Sequence, residues 1–186
     1  MKAPVWVLRE TVLGLHEQLL ARFGGASGLR DAGLLDSALA RPQHLLAYGT
    51  PTLFELAASY GYGLMKNHAF VDGNKRIGFT VAILFLELNG RTFGAAEADA
   101  TVRTLALAAG EMSEADFAVW LEAHSPSYRR QPGTPLPCLP HLIPRRVPLH
   151  PRPRCHSRRM LRSAGREPSS IGLRRICCVT RYMAVP

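Results

Sequence analysis

Apolar residues recur along the first two thirds of the chain at spacings of three and four, which is the pattern of amphipathic helices. The first series runs from Val5 to Phe23, and the following Gly24-Gly25 predicts the end of that helix. Four later series predict helices at positions 53–67, 72–88, 97–109 and 113–123. We find no strand alternation of useful length and no internal repeat, so the pattern predicts an all-α fold, a single bundle of about six helices.

The remaining predicted helix is short, and individual residues mark its ends. Asp31 is the expected N-cap of a helix over roughly 32–40, since its side chain can accept from a free N–H of the first turn. Pro42 predicts the end of this helix, because the residue before a proline disfavours the α conformation. A capping-box pattern starting at Ser113 marks the beginning of the last helix.

Charge divides the chain into two unlike parts. Residues 1–125 hold ten Lys and Arg against thirteen Asp and Glu, a net charge of −3, whereas residues 126–186 hold thirteen Arg and one acid, a net charge of +12. Eleven of the fourteen prolines and all four cysteines also follow residue 125. We therefore expect a catalytic domain at 1–125 and an Arg/Pro-rich tail at 126–186 that is disordered or out-of-frame, since it has no apolar face to bury.

The location of the protein is inferred from what residues 1–125 lack. They contain no cysteine, which fits a reducing compartment, and the N-terminal apolar run is too short for a signal peptide. The longest apolar run, 81–86, cannot cross a bilayer. The tail cysteines, which include the adjacent Cys177-Cys178, are too irregularly spaced for a zinc site. We expect a cytoplasmic protein with no membrane partner and no zinc.

The densest chemistry of the chain lies in residues 68–76, directly before the most apolar predicted helix. His68 is a candidate general base, because neutral imidazole can take a proton from a hydroxyl near pH 7. Asp72 has two competing interpretations, the N-cap of the next helix or a ligand of Mg²⁺ that bridges nucleotide phosphates, and we favour the metal.

The residues after Asp72 predict a phosphate site at the start of a helix, where free N–H groups and the helix dipole attract anions. A glycine permits a close approach of phosphate oxygens, and two cations at a helix N-terminus are unfavourable unless an anion offsets them. The predicted phosphate-binding residues are Gly73, Asn74, Lys75 and Arg76.

Residues 68–76 resemble the motif H-x-F-x-[DE]-G-N-x-R of the Fic/Doc family, and most closely the death-on-curing (Doc) toxins of toxin–antitoxin modules. The resemblance extends to residues 28–42 and 86–90 and covers about residues 5–124. It implies transfer of the γ-phosphate of ATP, with Mg²⁺, to a threonine of elongation factor Tu, followed by arrest of translation. By the same resemblance, His68 deprotonates the threonine and Asp72 holds the Mg²⁺, while the phosphates are positioned by Asn74, Lys75 and Arg76.

Two departures from the adenylylating members of the family favour phosphoryl transfer. Those members usually carry a second glycine where this chain has Lys75, and a further arginine where it has Phe79. The inhibitory pattern [ST]-x-x-x-E-[GN] is absent, since no Glu of the chain is followed by Gly or Asn. The resemblance therefore implies inhibition by a separate antitoxin protein.

Three alternatives stay open at this point. The protein could instead be an adenylyltransferase of the Fic type. It could bind nucleic acid through its basic tail, although only nonspecifically, because aromatic residues for base stacking are scarce there. It could also be an inert, degenerate product whose unusual C-terminus impairs folding.

Overall fold

The structure, a computed structural model, describes residues 3–127. Over that range it contains six helices and no strands, apart from two isolated bridges. The all-α prediction is therefore confirmed. In chain order the helices are α1 (Arg9–Phe23), α2 (Ala32–Tyr48), α3 (Leu53–Asn67), α4 (Asn74–Leu88), α5 (Glu97–Ala109) and α6 (Glu114–Ala123).

Helices α3 and α4 form the centre of the bundle. Every residue of α4 from Ile77 to Leu86 is buried, as is most of α3 between Phe54 and Met65. A helix that is apolar on all sides must be covered on all sides, and α1, α2, α5 and α6 provide this cover. The segment that joins the two central helices, 68–73, is thereby held at both ends by the core.

Two glycines let α3 and α4 approach each other closely. A Cβ atom on Gly78 would lie 2.9 Å from the backbone oxygen of Gly61 and 2.8 Å from Cγ of Met65. The backbone oxygen of a core helix cannot move aside cheaply, so the helix spacing depends on the missing side chain.

The predicted caps are present. Asp31 accepts from the Leu34 N–H at 3.0 Å, and Ser113 accepts from the Asp116 N–H at 3.1 Å. A reciprocal capping box, which we did not predict, starts α3: Thr52 accepts from the Glu55 N–H at 3.2 Å, while the Glu55 carboxylate accepts from the Thr52 N–H at 2.6 Å. These contacts fix where three helices begin.

The predicted end of the second helix near Pro42 was wrong, because α2 continues through Pro42 to Tyr48. A proline inside a helix costs about 3 kcal/mol, so other contacts must offset it. Pro42 is buried, and the neighbouring Arg41 donates to Ser59 Oγ on α3 at 3.2 Å and binds the Glu114 carboxylate of α6. Packing of α2 on α3 and α6 therefore overrides the local signal.

Past α6, the last described residues pair with the connection between α4 and α5. Ser127 forms an isolated bridge with Arg91, and the Pro126 oxygen accepts from the Thr92 N–H at 3.3 Å. The expectations about the tail, its origin and its zinc ligands concern residues outside the described range. No helix within 3–127 is both long enough and apolar enough to span a membrane.

The contact between α3 and α4 gives a test with a matched control. We expect Gly78→Ala to lower the free energy of unfolding by about 1–3 kcal/mol, because the added methyl group overpacks a rigid helix contact. Gly14 on α1 has nothing within 4 Å of an added Cβ. Gly14→Ala should therefore be neutral or stabilising by up to about 1 kcal/mol. Urea denaturation measures both, and equal effects would contradict the close contact.

Candidate active site

His68 lies at the point where α3 stops and the connecting segment begins. It is the C-cap of α3, with φ 48° and ψ 47°, and it is the one non-glycine residue with positive φ between residues 3 and 127. Such left-handed backbone is strained for a residue with a side chain and persists only where the surroundings hold it. The Arg30 guanidinium donates to the His68 carbonyl oxygen at 2.5 Å, and His68 is exposed to solvent.

The segment before α2 runs alongside the connecting segment. The N–H groups of Arg30 and Asp31 both donate to the Ala69 oxygen, at 2.8 and 3.2 Å, and the Val71 N–H donates to the Gly28 oxygen at 3.0 Å. Main-chain bonds of this kind restrict a loop regardless of its side chains. The backbone around His68 is therefore fixed from outside as well as from its two helices.

Asn74, the first residue of α4, closes the loop from within. Its side-chain oxygen accepts from the Phe70 N–H at 2.9 Å, and its side-chain nitrogen donates to the Phe70 oxygen at 2.8 Å. Both residues are buried. The amide side chain thus pairs with both backbone polar groups of Phe70, which would otherwise be buried without partners.

The underside of the loop rests on α1. The ring of His16 stacks on the ring of Phe70, with centroids 3.9 Å apart and an angle of 19° between the planes. Nε2 of His16 lies 2.8 Å from the Asp72 carbonyl oxygen. Gly73 follows as the N-cap of α4, with φ 78°, and a Cβ there would lie 3.3 Å from the same Nε2. The positive φ and the nearby His16 ring therefore both favour a glycine at position 73.

The Asp72 carboxylate faces outward beside the start of α4. Its side chain is 47% exposed; one oxygen accepts from the Gly73 N–H at 2.5 Å, and the other lies 3.6 Å from an Arg76 nitrogen. A Cβ on Gly25 would clash with that second oxygen, so the end of α1 approaches it closely. The N-cap of α4 is Gly73 and not Asp72, which removes the capping interpretation of this carboxylate.

The two cations of the motif have different surroundings. Arg76 is largely buried, with a side chain 19% exposed, and it donates to the Gly24 oxygen at 3.0 Å while facing Asp72. Lys75 is exposed at the first turn of α4. Arg76 therefore ties the end of α1 to the motif, whereas Lys75 extends a charge into solvent next to free helical N–H groups.

Phe79 lies away from this loop. It is 1% exposed and packs edge-on against Phe93, with Trp120 of α6 beyond, in an aromatic cluster of the core. The Trp120 indole in turn donates to the Asp99 carboxylate at 2.7 Å, which lowers the pKa of Asp99. The distinction that we drew at position 79 therefore concerns a core position, whereas Lys75 is exposed at the start of α4.

The structure gathers most of the predicted site residues at one end of the α3–α4 pair. Asn74 differs from the others, because its amide is engaged by Phe70. Its phosphate-binding role stays a prediction, and support of the loop is the role that its contacts describe. The predicted site residues that are exposed or partly exposed near the loop are His68, Asp72, Gly73, Lys75 and Arg76.

Sequence reasoning overlooked two supporting residues, His16 and Arg30. His16 lies on the buried stripe of α1 with Val12, Leu15 and Leu19. A polar side chain within an apolar stripe is the signal that points to a buried hydrogen bond. Arg30 offered no comparable signal, because its partner is the main chain of a distant residue.

The residues present fit Mg²⁺ and a nucleotide phosphate. Mg²⁺ keeps several waters and is commonly bound by one or two carboxylates together with substrate phosphates, and Asp72 is a half-exposed carboxylate beside an anion-attracting helix start. No group of three or more metal-ligating side chains occurs among residues 3–127. Asp72 would therefore supply one ligand, and the phosphates and water would supply the others.

Fold and site together define an all-α protein whose histidine, carboxylate and cations surround one loop between two core helices. Comparison with known proteins agrees: the model of the Fic/DOC family matches residues 6–86. "Protein kinase doc" of Escherichia phage P1 is 38% identical over 112 residues, which cover 59% of this chain and 86% of that protein. "Toxin Doc" of Mycolicibacterium smegmatis is 49% identical over 71 residues, 37% of this chain and 54% of that protein.

The chain belongs to the Fic/DOC family. Both relatives carry the Doc name, so the predicted likeness to the Doc-type members is confirmed. The similarity to the phage P1 protein spans most of that protein's length, which places the shared region well beyond the nine-residue motif.

The amide of Asn74 gives a test of how the loop is held. We expect Asn74→Ala to lower the free energy of unfolding by about 2–4 kcal/mol, because it leaves a buried N–H and C=O of Phe70 without partners. Lys75→Ala, at the neighbouring exposed position, should change stability by less than about 0.5 kcal/mol. Thermal and urea denaturation measure both. A stable Asn74→Ala variant would show that the loop does not depend on this amide.

Proposed function

We propose that this protein is a Doc-like toxin, an ATP-dependent transferase that moves the γ-phosphate of ATP to a threonine of elongation factor Tu and thereby arrests translation. The observation that carries the proposal is the position of His68, an exposed histidine whose backbone is held by Arg30 directly before the loop that leads to the N-terminus of α4. Family membership supports the reaction class, and the phage P1 relative is named a protein kinase.

In the proposed reaction His68 acts as the general base. Its neutral ring takes the proton of the threonine hydroxyl as the oxygen attacks the γ-phosphorus of ATP. The new bond joins the threonine oxygen to that phosphorus, and the bond to the bridging oxygen of the β-phosphate breaks, which releases ADP. The Arg30 contact to the His68 oxygen supports this role, because it holds the backbone that carries the base.

The start of α4 is the proposed phosphate cradle. Its first N–H groups have no acceptor within the helix, and Lys75 adds an exposed positive charge at the same place. Arg76 can add a guanidinium nitrogen if the phosphate competes with its present contacts to Gly24 and Asp72. Asp72 would hold Mg²⁺, which when bound neutralises charge on the phosphate oxygens.

The choice of the γ-phosphate over adenylyl transfer is part of the proposal. It is supported by Lys75, which stands where adenylylating members usually have a second glycine. A lysine side chain at the first turn occupies space and adds charge that a glycine would not. Adenylyl transfer by the same base is the competing outcome of the test below.

Neutralisation by an antitoxin belongs to the same proposal. Both relatives bear the Doc name, and one is named a toxin. No Glu of this chain is followed by Gly or Asn, so the chain lacks the inhibitory pattern that some members of the family carry. A separate inhibitory partner and a cytoplasmic site of action, where elongation factor Tu is found, are therefore proposed with the activity.

The reaction can be tested with ATP labelled at either end of its phosphate chain. Incubation of the full chain with elongation factor Tu, Mg²⁺ and γ-labelled ATP should place label on a threonine, whereas α-labelled ATP should place none. His68→Ala should lower the rate by about 10²–10⁴-fold, since general-base catalysis contributes that much. His44→Ala, an exposed histidine outside the motif, should leave the rate unchanged. Label from the α position alone would overturn the kinase proposal in favour of adenylyl transfer.

A further inference from the structure

His16 is a buried histidine that the proposed chemistry does not use. It lies on α1, is 4% exposed, and presents one ring face to Phe70 at a centroid distance of 3.9 Å. If this side chain only filled space in the core, an apolar side chain would fill it equally well. The second contact of its ring, to the motif backbone, indicates a different role.

The contact of His16 with Asp72 determines which ring nitrogen carries the proton. Nε2 lies 2.8 Å from the Asp72 carbonyl oxygen. A carbonyl oxygen only accepts, so Nε2 must be the donor and carry hydrogen. The ring is therefore stacked on Phe70 with its Nε2–H directed at the peptide between Asp72 and Gly73.

Fixing this carbonyl oxygen also fixes the other side of the same peptide. A trans peptide is planar, with its C=O and N–H on opposite sides, so the bond from His16 sets the direction of the Gly73 N–H. That N–H donates to the Asp72 carboxylate at 2.5 Å. The orientation of His16 is thus passed through one rigid peptide to the carboxylate that we assign to Mg²⁺.

We propose that His16 is a positioning residue that orients the Asp72 carboxylate through the Asp72–Gly73 peptide. In the proposed reaction it would act through Asp72 and not by touching the nucleotide or the acceptor. The absence of a side chain on Gly73 belongs to the same arrangement, because a Cβ there would lie 3.3 Å from the His16 nitrogen. The functional consequence rests on the proposed function, in which Asp72 serves Mg²⁺ and ATP, whereas the geometry itself does not.

Two substitutions separate the donor from the stacking ring. His16→Phe keeps an aromatic ring on Phe70 and removes the donor, while His16→Gln keeps an N–H donor and removes the ring. Groups that orient a metal ligand typically change metal affinity by 10–100-fold. We expect His16→Phe to raise the Mg²⁺ concentration needed for half-maximal ATP binding by about tenfold. We expect His16→Gln to recover most of this loss.

The readout is calorimetric titration of ATP into the full chain at a series of Mg²⁺ concentrations, together with a thermal melt of each variant. His44→Phe, at an exposed position of α2, is the matched control and should leave the Mg²⁺ dependence unchanged. A folded His16→Phe variant with the wild-type Mg²⁺ dependence would overturn the proposal. Equal losses in the Phe and Gln variants would also overturn it, because the donor would then have no separate effect.

A second measurement uses the unaltered protein and does not depend on activity. Long-range ¹H–¹⁵N spectra of the histidine rings should show that Nε2 of His16 carries a slowly exchanging proton. An Nε2 without hydrogen, or rapid exchange at Nε2, would contradict the positioning role even if the Phe variant fails to fold. Failure of phosphate transfer to elongation factor Tu would leave both this result and the Mg²⁺ titration unaffected, so the two proposals can fail separately.

Discussion

The two hydrogen bonds between the Asn74 side chain and the Phe70 backbone are the contact on which the candidate site depends most. They join the first residue of α4 to the middle of the loop that leaves α3, and they do so in a buried place where unpaired peptide groups would be costly. This pair holds the middle of the loop against the first residue of α4. His68 then lies at one end of it and the start of α4 at the other.

The rest of the fold supplies the supports that this shape requires. Helices α3 and α4 approach through Gly61 and Gly78, which fixes the distance that the loop must span. The middle of α1 contacts the loop through His16, and Arg30 holds the His68 carbonyl oxygen. A set of catalytic residues keeps its geometry when packed helices and hydrogen bonds fix its backbone, and this site has both kinds of support.

The sequence predicted those parts of the protein that depend on local or periodic signals. Apolar spacing located the helices, and the caps at Asp31 and Ser113 were read from residue types alone. The continuation of α2 through Pro42 could not be predicted in this way, because its compensation comes from contacts with α3 and α6 that are distant in sequence. The apolar stripe of α1 signals that His16 is a buried polar residue, but it does not identify the partner, which is 56 residues away.

The contacts of Asn74 with Phe70 predict that the loop is formed before any ligand binds. Hydrogen exchange at the Phe70 amide tests this prediction directly. In protein free of nucleotide and metal, this N–H should exchange far more slowly than an exposed loop amide, because it is bonded to the buried Asn74 oxygen. Exchange should remain slow when ATP and Mg²⁺ are added. If the Phe70 amide instead exchanges at the rate of an unprotected loop and becomes protected only with ligand, the substrate forms the site. That result would contradict a loop formed in advance.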